Sequence, residues 1–141
     1  MLFRSLKDNI KQEQITLAPD QKIVIRLKVE VPAGKTLKAY SLTVLYDQKI
    51  ISVTDVTPSA DAPMPPLNID ADKPGAVSIN SFDVSGVAAG ETGKTISLID
   101  IKLKGIISGS STLRVVFSNF GASSDDEFKP EILPVKVIVQ G

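Results

Sequence analysis

Period-two alternation of apolar and polar residues, interrupted at short intervals by glycine and proline, constrains this chain more than any other feature. From Ile23 to Val31 the odd positions are Ile23, Ile25, Leu27, Val29 and Val31, with Arg26, Lys28 and Glu30 between them. That pattern buries one face of a strand and leaves the other in water. The stretch LKAYSLTVLYDQKIISVTDVTPS, residues 37–59, supplies two more strands in quick succession. Tyr40, Leu42, Val44 and Tyr46 alternate with Ala39, Ser41, Thr43 and Leu45, a short turn follows at Asp47 to Lys49, and Ile51 and Val53 open the next strand. The pattern recurs at Val77 and Ile79, at Ile99, Ile101 and Leu103, at Leu113, Val115 and Phe117, and at Val135, Val137 and Val139. No long segment favours the helical period.

Punctuation between these runs falls at Pro32 to Gly34, Pro58, Pro63, Pro65 and Pro66, Pro74 with Gly75, Gly86, Gly90, Gly93, Gly109, Gly121 and Pro130. About nine short strands separated in this way predict an all-β fold, an antiparallel sandwich of jelly-roll topology. A chain of 141 residues has room for one such domain. We assign it to residues 14–141, with residues 1–13 as an N-terminal arm or extension and the proline-rich stretch 57–66 as a long loop.

Composition removes several function classes. Sixteen basic and sixteen acidic residues give a net charge of zero, and the basic ones are scattered singly along strands, so a nucleic-acid partner is not expected. Cysteine and histidine are both absent, which excludes disulfides, thiolate metal sites and a Ser-His-Asp arrangement within the chain. No apolar run reaches the length of a membrane span, and the first residues lack the apolar core of a signal peptide, so a leader is expected to lie outside this stretch.

Four candidate sites follow from the residues. AAGETGKT, Ala88 to Thr95, matches a loose phosphate-loop pattern, but TISLIDIKLKG after it reads as a strand, whereas a phosphate loop must open a helix. It is expected to be a glycine-rich turn. Oxygen-rich SSDDEF, residues 123–128, with Asp70 and Asp72, lacks the fixed spacing of a calcium loop and is expected to be a solvated acidic turn. No carboxylate pair stands out as catalytic, so we expect no enzyme, no catalytic residue, no metal site and no cofactor. Sugar stacking requires exposed aromatics; Tyr40, Tyr46 and Phe117 fall on core faces, leaving Phe82, Phe120 and Phe128, with Phe3 in the arm.

LTVLYDQKIISVTDVTPSA resembles the strand-turn-strand of cohesin modules, with its Tyr-Asp pair at Tyr46 and Asp47. GAVSINSFDVSG, TISLIDIKLKG and VKVIVQG are similar to later cohesin strands in the expected order, so the resemblance covers about residues 14–141. It implies a nine-stranded jelly roll without catalysis that binds dockerin modules on one sheet face. Carried onto this sequence, it places Ser41, Thr43 and Leu45 of one strand and Ser78, Asn80 and Phe82 of another on that face, with Leu45 and Phe82 as apolar anchors. At Ser41 the chain departs from cohesins that bind cellulosomal dockerins, which often carry an acidic residue there. The implied function is a protein-binding module in a secreted or cell-surface assembly. A carbohydrate-binding or adhesion module, with a polysaccharide partner, and a structural spacer of a surface protein are the alternatives.

Overall fold

The computed structural model describes residues 6–10, 14–120 and 132–141. Phe3, Phe128 and the acidic stretch 123–128 lie outside the described residues, as do the side chains of Phe117 and Phe120. Ten strands follow one another without a helix among the described residues: β1 (Leu6–Asp8), β2 (Gln14–Leu17), β3 (Lys22–Val31), β4 (Thr36–Leu45), β5 (Ile51–Pro58), β6 (Asn68–Asp70), β7 (Ala76–Ala88), β8 (Lys94–Gly105), β9 (Gly109–Phe120) and β10 (Val135–Val139). One sheet runs β1-β3-β8-β5 and the other β2-β10-β9-β4-β7-β6.

Alternation explains why these two sheets stack. Ile25, Leu27 and Val29 of β3 and Ile101 and Leu103 of β8 are buried, as are Tyr40, Leu42 and Val44 of β4, Val77 and Ile79 of β7, and Val137 of β10. All belong to a single apolar cluster. Each such position removes its side chain from water only if the sheets face one another, and burial at about 25 cal/mol per Å² makes this the dominant driving force. Tyr46, Val53 and Val115, read from the sequence as inward, are half-buried at the margin of the core.

The sheets are mixed, where the sequence reading expects antiparallel pairing throughout. β10 pairs with β9 antiparallel but with β2 in parallel, and β1 runs parallel to β3. Both exceptions involve strands from the start of the chain, whose polar and short patterns carry no directional signal. The stretch set apart as an arm therefore contributes β1 at its described end, and Asn9 just beyond it is fully buried. Asn9 acts as a substitute peptide group. Its Nδ2 donates to Lys28 O (3.0 Å) and its Oδ1 accepts from Lys28 N (2.6 Å), where the β3 to β8 register shifts between Leu27 and Lys28. Lys28 Nζ then pairs with Asp8 at 3.1 Å, which holds β1 along its neighbour.

On the outside of the same sheet, Arg26 grips Asp100 with two bonds, Nε to Oδ1 at 2.9 Å and Nη2 to Oδ2 at 3.2 Å. The Ser59 hydroxyl donates to the same Oδ1 at 2.8 Å, and Arg26 reaches Asp61 at 3.5 Å. This network fixes the start of the proline-rich loop. The loop then turns inward: Met64 is buried, the Tyr40 hydroxyl donates to Met64 O (3.0 Å), and the Ser81 hydroxyl donates to Pro65 O (2.9 Å). Prolines leave the loop few amide donors of its own, so its carbonyls take donors from the sheet. Burial raises the Tyr40 phenol to about 12, because the phenolate would lose its hydration; a hydrogen bond with Ser81 opposes the rise.

The AAGETGKT segment spans the end of β7, a turn, and the start of β8 at Lys94. Gly90 and Gly93 lie at positive φ, and Gly34 N donates to Gly90 O at 2.8 Å, so the glycines serve a turn that packs on the β3 to β4 connection. No helix follows Lys94, so the amide array that cradles phosphate does not form there.

Asn9→Ala is expected to cost about 2–4 kcal/mol of stability by stranding both Lys28 backbone groups, read as a loss of hydrogen-exchange protection around Lys28; unchanged protection would refute the substitute-peptide role. Alkaline titration followed at 295 nm is expected to show Tyr40 ionising near pH 12. Because the folded-state value lies above the unfolded one, the linked stability is complete below pH 10 and is lost as pH rises through about 12. Magnesium ATP titrated by calorimetry is expected to give only heat of dilution, and saturable binding abolished by Lys94→Ala would contradict the turn assignment.

Candidate partner-binding face

Strand β4 has a neighbour on each side, and this positions every residue of the candidate face. It pairs with β7 through Thr43 and Ser78, Ser41 and Asn80, and Ala39 and Phe82, and with β9 through Leu45 and Arg114 and through Thr43 and Val116. Inward Tyr40, Leu42 and Val44 fix the alternate positions outward. All six residues singled out in the sequence, Ser41, Thr43, Leu45, Ser78, Asn80 and Phe82, thus stand on two adjacent strands of one face.

The rows across this face are chemically sorted. One row reads Val116, Thr43, Ser78, Asp70, and Asn80 is flanked in the next by Ser41 and Asn68. Thr43 Oγ1 and Ser78 Oγ lie 3.0 Å apart and are hydrogen-bonded. Asp70, at the β6 edge, accepts a bond from the Asp72 amide at 3.1 Å. Apolar groups occupy the two ends: Leu45 is 41% exposed beside Arg114, and Phe82 is 60% exposed.

Two exposed apolar residues join them that the sequence reading did not single out. Val116, 52% exposed, was legible as an outward position of β9, since Val115 points to the core. Val84, 78% exposed, continues the outward even positions of β7 after Phe82, but the bulge that presents it was not legible. Between the pairs Ala39 with Phe82 and Leu37 with Val87, β4 advances two residues while β7 advances five, so β7 carries a bulge of three extra residues. Asp83 Oδ1 holds the bulge by accepting the amides of Ser85 (2.9 Å) and Gly86 (3.2 Å). Gly86 has φ 69°, and a Cβ there would come within 2.5 Å of Leu37 O, so glycine is required by both backbone and space.

The Tyr46 and Asp47 pair shapes the turn below the face. Tyr46 N donates to Gly75 O (3.0 Å), and Asp47 N donates to the Ser111 hydroxyl (2.8 Å). Asp47 then closes the turn as acceptor, through Oδ1 from Lys49 N and through its carbonyl from Ile50 N and Ile51 N. Its role is structural. Of the aromatic side chains described, Tyr40, Tyr46 and Phe82, only Phe82 stands largely in solvent, and among the described residues no cluster of three or more acidic residues forms a cation site.

No protein-family model and no curated protein matches the chain. Solved structures do. The solution structure of CaCohA2 from Clostridium acetobutylicum superposes with a TM-score of 0.64 at 16% identity, covering 96% of each chain. A type I cohesin in complex with a dockerin from Clostridium thermocellum gives 0.63 at 14% identity, covering 90% of this chain and 94% of that one. A non-cellulosomal cohesin from the archaeon Archaeoglobus fulgidus gives 0.59 at 11% identity, covering 98% and 88%. Ten described strands here include the short β1, and the two mixed sheets build the same sandwich. The chain therefore has the cohesin fold.

Proposed function

We propose that this protein is a non-catalytic interaction module that holds a dockerin-like protein partner on the outer face of β4 and β7, within a secreted or cell-surface assembly. The observation that carries this reading is the exposure of Leu45, Phe82, Val84 and Val116 on or beside β4 and β7, neighbouring strands inside the six-stranded sheet. Exposed apolar groups grouped on one rigid face mark an interaction site, whereas scattered ones do not. The surrounding hydroxyls and amides suit the polar rim of a protein interface. The cohesin of Clostridium thermocellum with this fold is in complex with a dockerin, which supports the same class of partner here.

Chemistry supports the absence of catalysis. The chain has no histidine or cysteine, and Asp100, Asp8 and Asp55 are paired with Arg26, Lys28 and Lys102. Sugar binding receives less support, because a polysaccharide platform needs several exposed aromatics and, of the aromatic side chains described, Phe82 alone is largely exposed.

Calorimetric titration of a panel of dockerin domains tests the reading. At least one is expected to bind with 1:1 stoichiometry, and Leu45→Asp with Phe82→Asp is expected to remove binding, since truncating a central anchor typically costs 2 kcal/mol or more. Thermal unfolding of that variant is expected to stay within a few degrees of the parent, unlike Leu42→Ala, whose buried site costs about 2–5 kcal/mol. Binding retained by the double variant would reject this face, and absence of binding across the panel would reject the dockerin-like partner.

A further inference from the structure

The segment from Ser59 to Leu67 crosses one side of the sandwich, from the end of β5 in one sheet to the start of β6 in the other. Both are edge strands. Among the described residues, the backbone bonds that tie this strap to the sheets lie at its two ends, Ser59 N to Leu98 O at 3.3 Å and Leu67 N to Asn80 O at 2.9 Å. Between them Pro63, Pro65 and Pro66 have no amide hydrogen, and Ala62 N turns back to Ser59 O. The middle is held by Met64, 1% exposed within the common apolar cluster, with the Tyr40 hydroxyl on its carbonyl and the Ser81 hydroxyl on that of Pro65. Tyr40 and Ser81 are paired across β4 and β7, so the strap is pinned at a single row of the sheet.

Such a strap can come away without breaking a ladder. Its release removes side-chain hydrogen bonds, the end contacts and the burial of one thioether, while β3 stays paired with β8, and β4 with β7 and β9. Segments with few backbone bonds to their surroundings open at lower free energy than the core beneath them. Opening brings Met64 into water, where a thioether is attacked by peroxides. The sulfur takes one peroxide oxygen, the O–O bond breaks, and the departing hydroxide takes the proton of the transferred oxygen and leaves as water. Sulfur is oxidised by two electrons and the peroxide is reduced. The polar sulfoxide then has no place to return to. Among the described residues every buried side-chain nitrogen and oxygen already has a hydrogen-bond partner, so the apolar socket holds no spare side-chain donor for the new oxygen.

We propose that Met64 is an oxidation-sensitive latch: its conversion to the sulfoxide by a hydroperoxide holds the strap from Ser59 to Leu67 open while both sheets remain folded. Reduction of the sulfoxide closes it again. The open form bares apolar core beside Tyr40 and Ser81, at the margin where β5 and β6 end. The latch acts whatever the outer face of β4 and β7 binds, because Tyr40 and Ser81 point to the inner side of those strands.

The full chain is treated with hydrogen peroxide in native buffer, with oxidation of Met64 followed by peptide mass spectrometry and strap closure by hydrogen exchange at the Ser59 and Leu67 amides. Oxidation is expected at a rate unchanged by urea below the unfolding transition, and at least tenfold faster in Tyr40→Phe, which lacks the hydroxyl bonded to Met64 O. The sulfoxide form is expected to lose at least tenfold of its protection at Ser59 and Leu67 while Leu42 and Ile101 keep theirs, and a methionine sulfoxide reductase is expected to restore it. Met64→Leu fills the socket without a reactive sulfur. It is expected to stay protected through the same treatment, which assigns the effect to this residue rather than to oxidation elsewhere. A Met64 rate that climbs with urea in step with exchange at Leu42 would mean that the strap opens only with the whole domain, and would overturn the latch. A sulfoxide that leaves Ser59 and Leu67 protected, one that unfolds both sheets, or a Met64 that stays unoxidised would overturn it equally.

Discussion

The pairing of β4 on both sides is the constraint on which the rest of the structure depends. Its backbone is held by β7 and β9, so it can neither slip in register nor rotate without breaking two ladders. Tyr40, Leu42 and Val44 are then committed to the core, and Ser41, Thr43 and Leu45 to the outside. A single register thus decides both stability and the composition of the candidate face. The coupling extends through Tyr40, whose hydroxyl reaches out of the core to fix the proline-rich loop at Met64.

Polar side chains do a second kind of structural work, replacing backbone partners where the ladders fail. Asn9 supplies both halves of a peptide group to Lys28, Asp83 closes the bulge in β7, and Asp47 closes the turn after β4. Every one of these residues looks like an ordinary surface polar group in the sequence. For buried Asn9 the physical basis is the cost of an amide or carbonyl left without a partner, which exceeds the net gain of an average hydrogen bond.

Much of the fold was legible because burial follows a period of two. The strands around Ile23 to Val31, Tyr40 to Val44 and Ile99 to Leu103 declare their inner faces directly, and the six residues proposed for the face were found together on β4 and β7. The bulge of β7 was not legible. SFDVSG reads as continuing alternation, and only the pairing of Leu37 with Val87 and Ala39 with Phe82 reveals three extra residues. Alternation alone puts Val84 outward after Phe82, whereas its place in a turn that leaves the ladder depends on the partner strand. The parallel β1 and β2 were hidden for a related reason: three or four residues with mixed character specify neither partner nor direction.

By itself the sequence determined which residues form the centre of the core, that the chain is built of short strands, and that histidine and cysteine chemistry is unavailable. These are properties of single residues and their spacing along the chain. Tertiary structure decided which strands are neighbours, how far apart Leu45 and Phe82 stand, which carboxylates meet Arg26 and Lys28, and that Asn9 closes an open edge. Those depend on contacts between segments tens of residues apart, such as Arg26 with Asp100, and local periodicity carries no record of pairing across that distance.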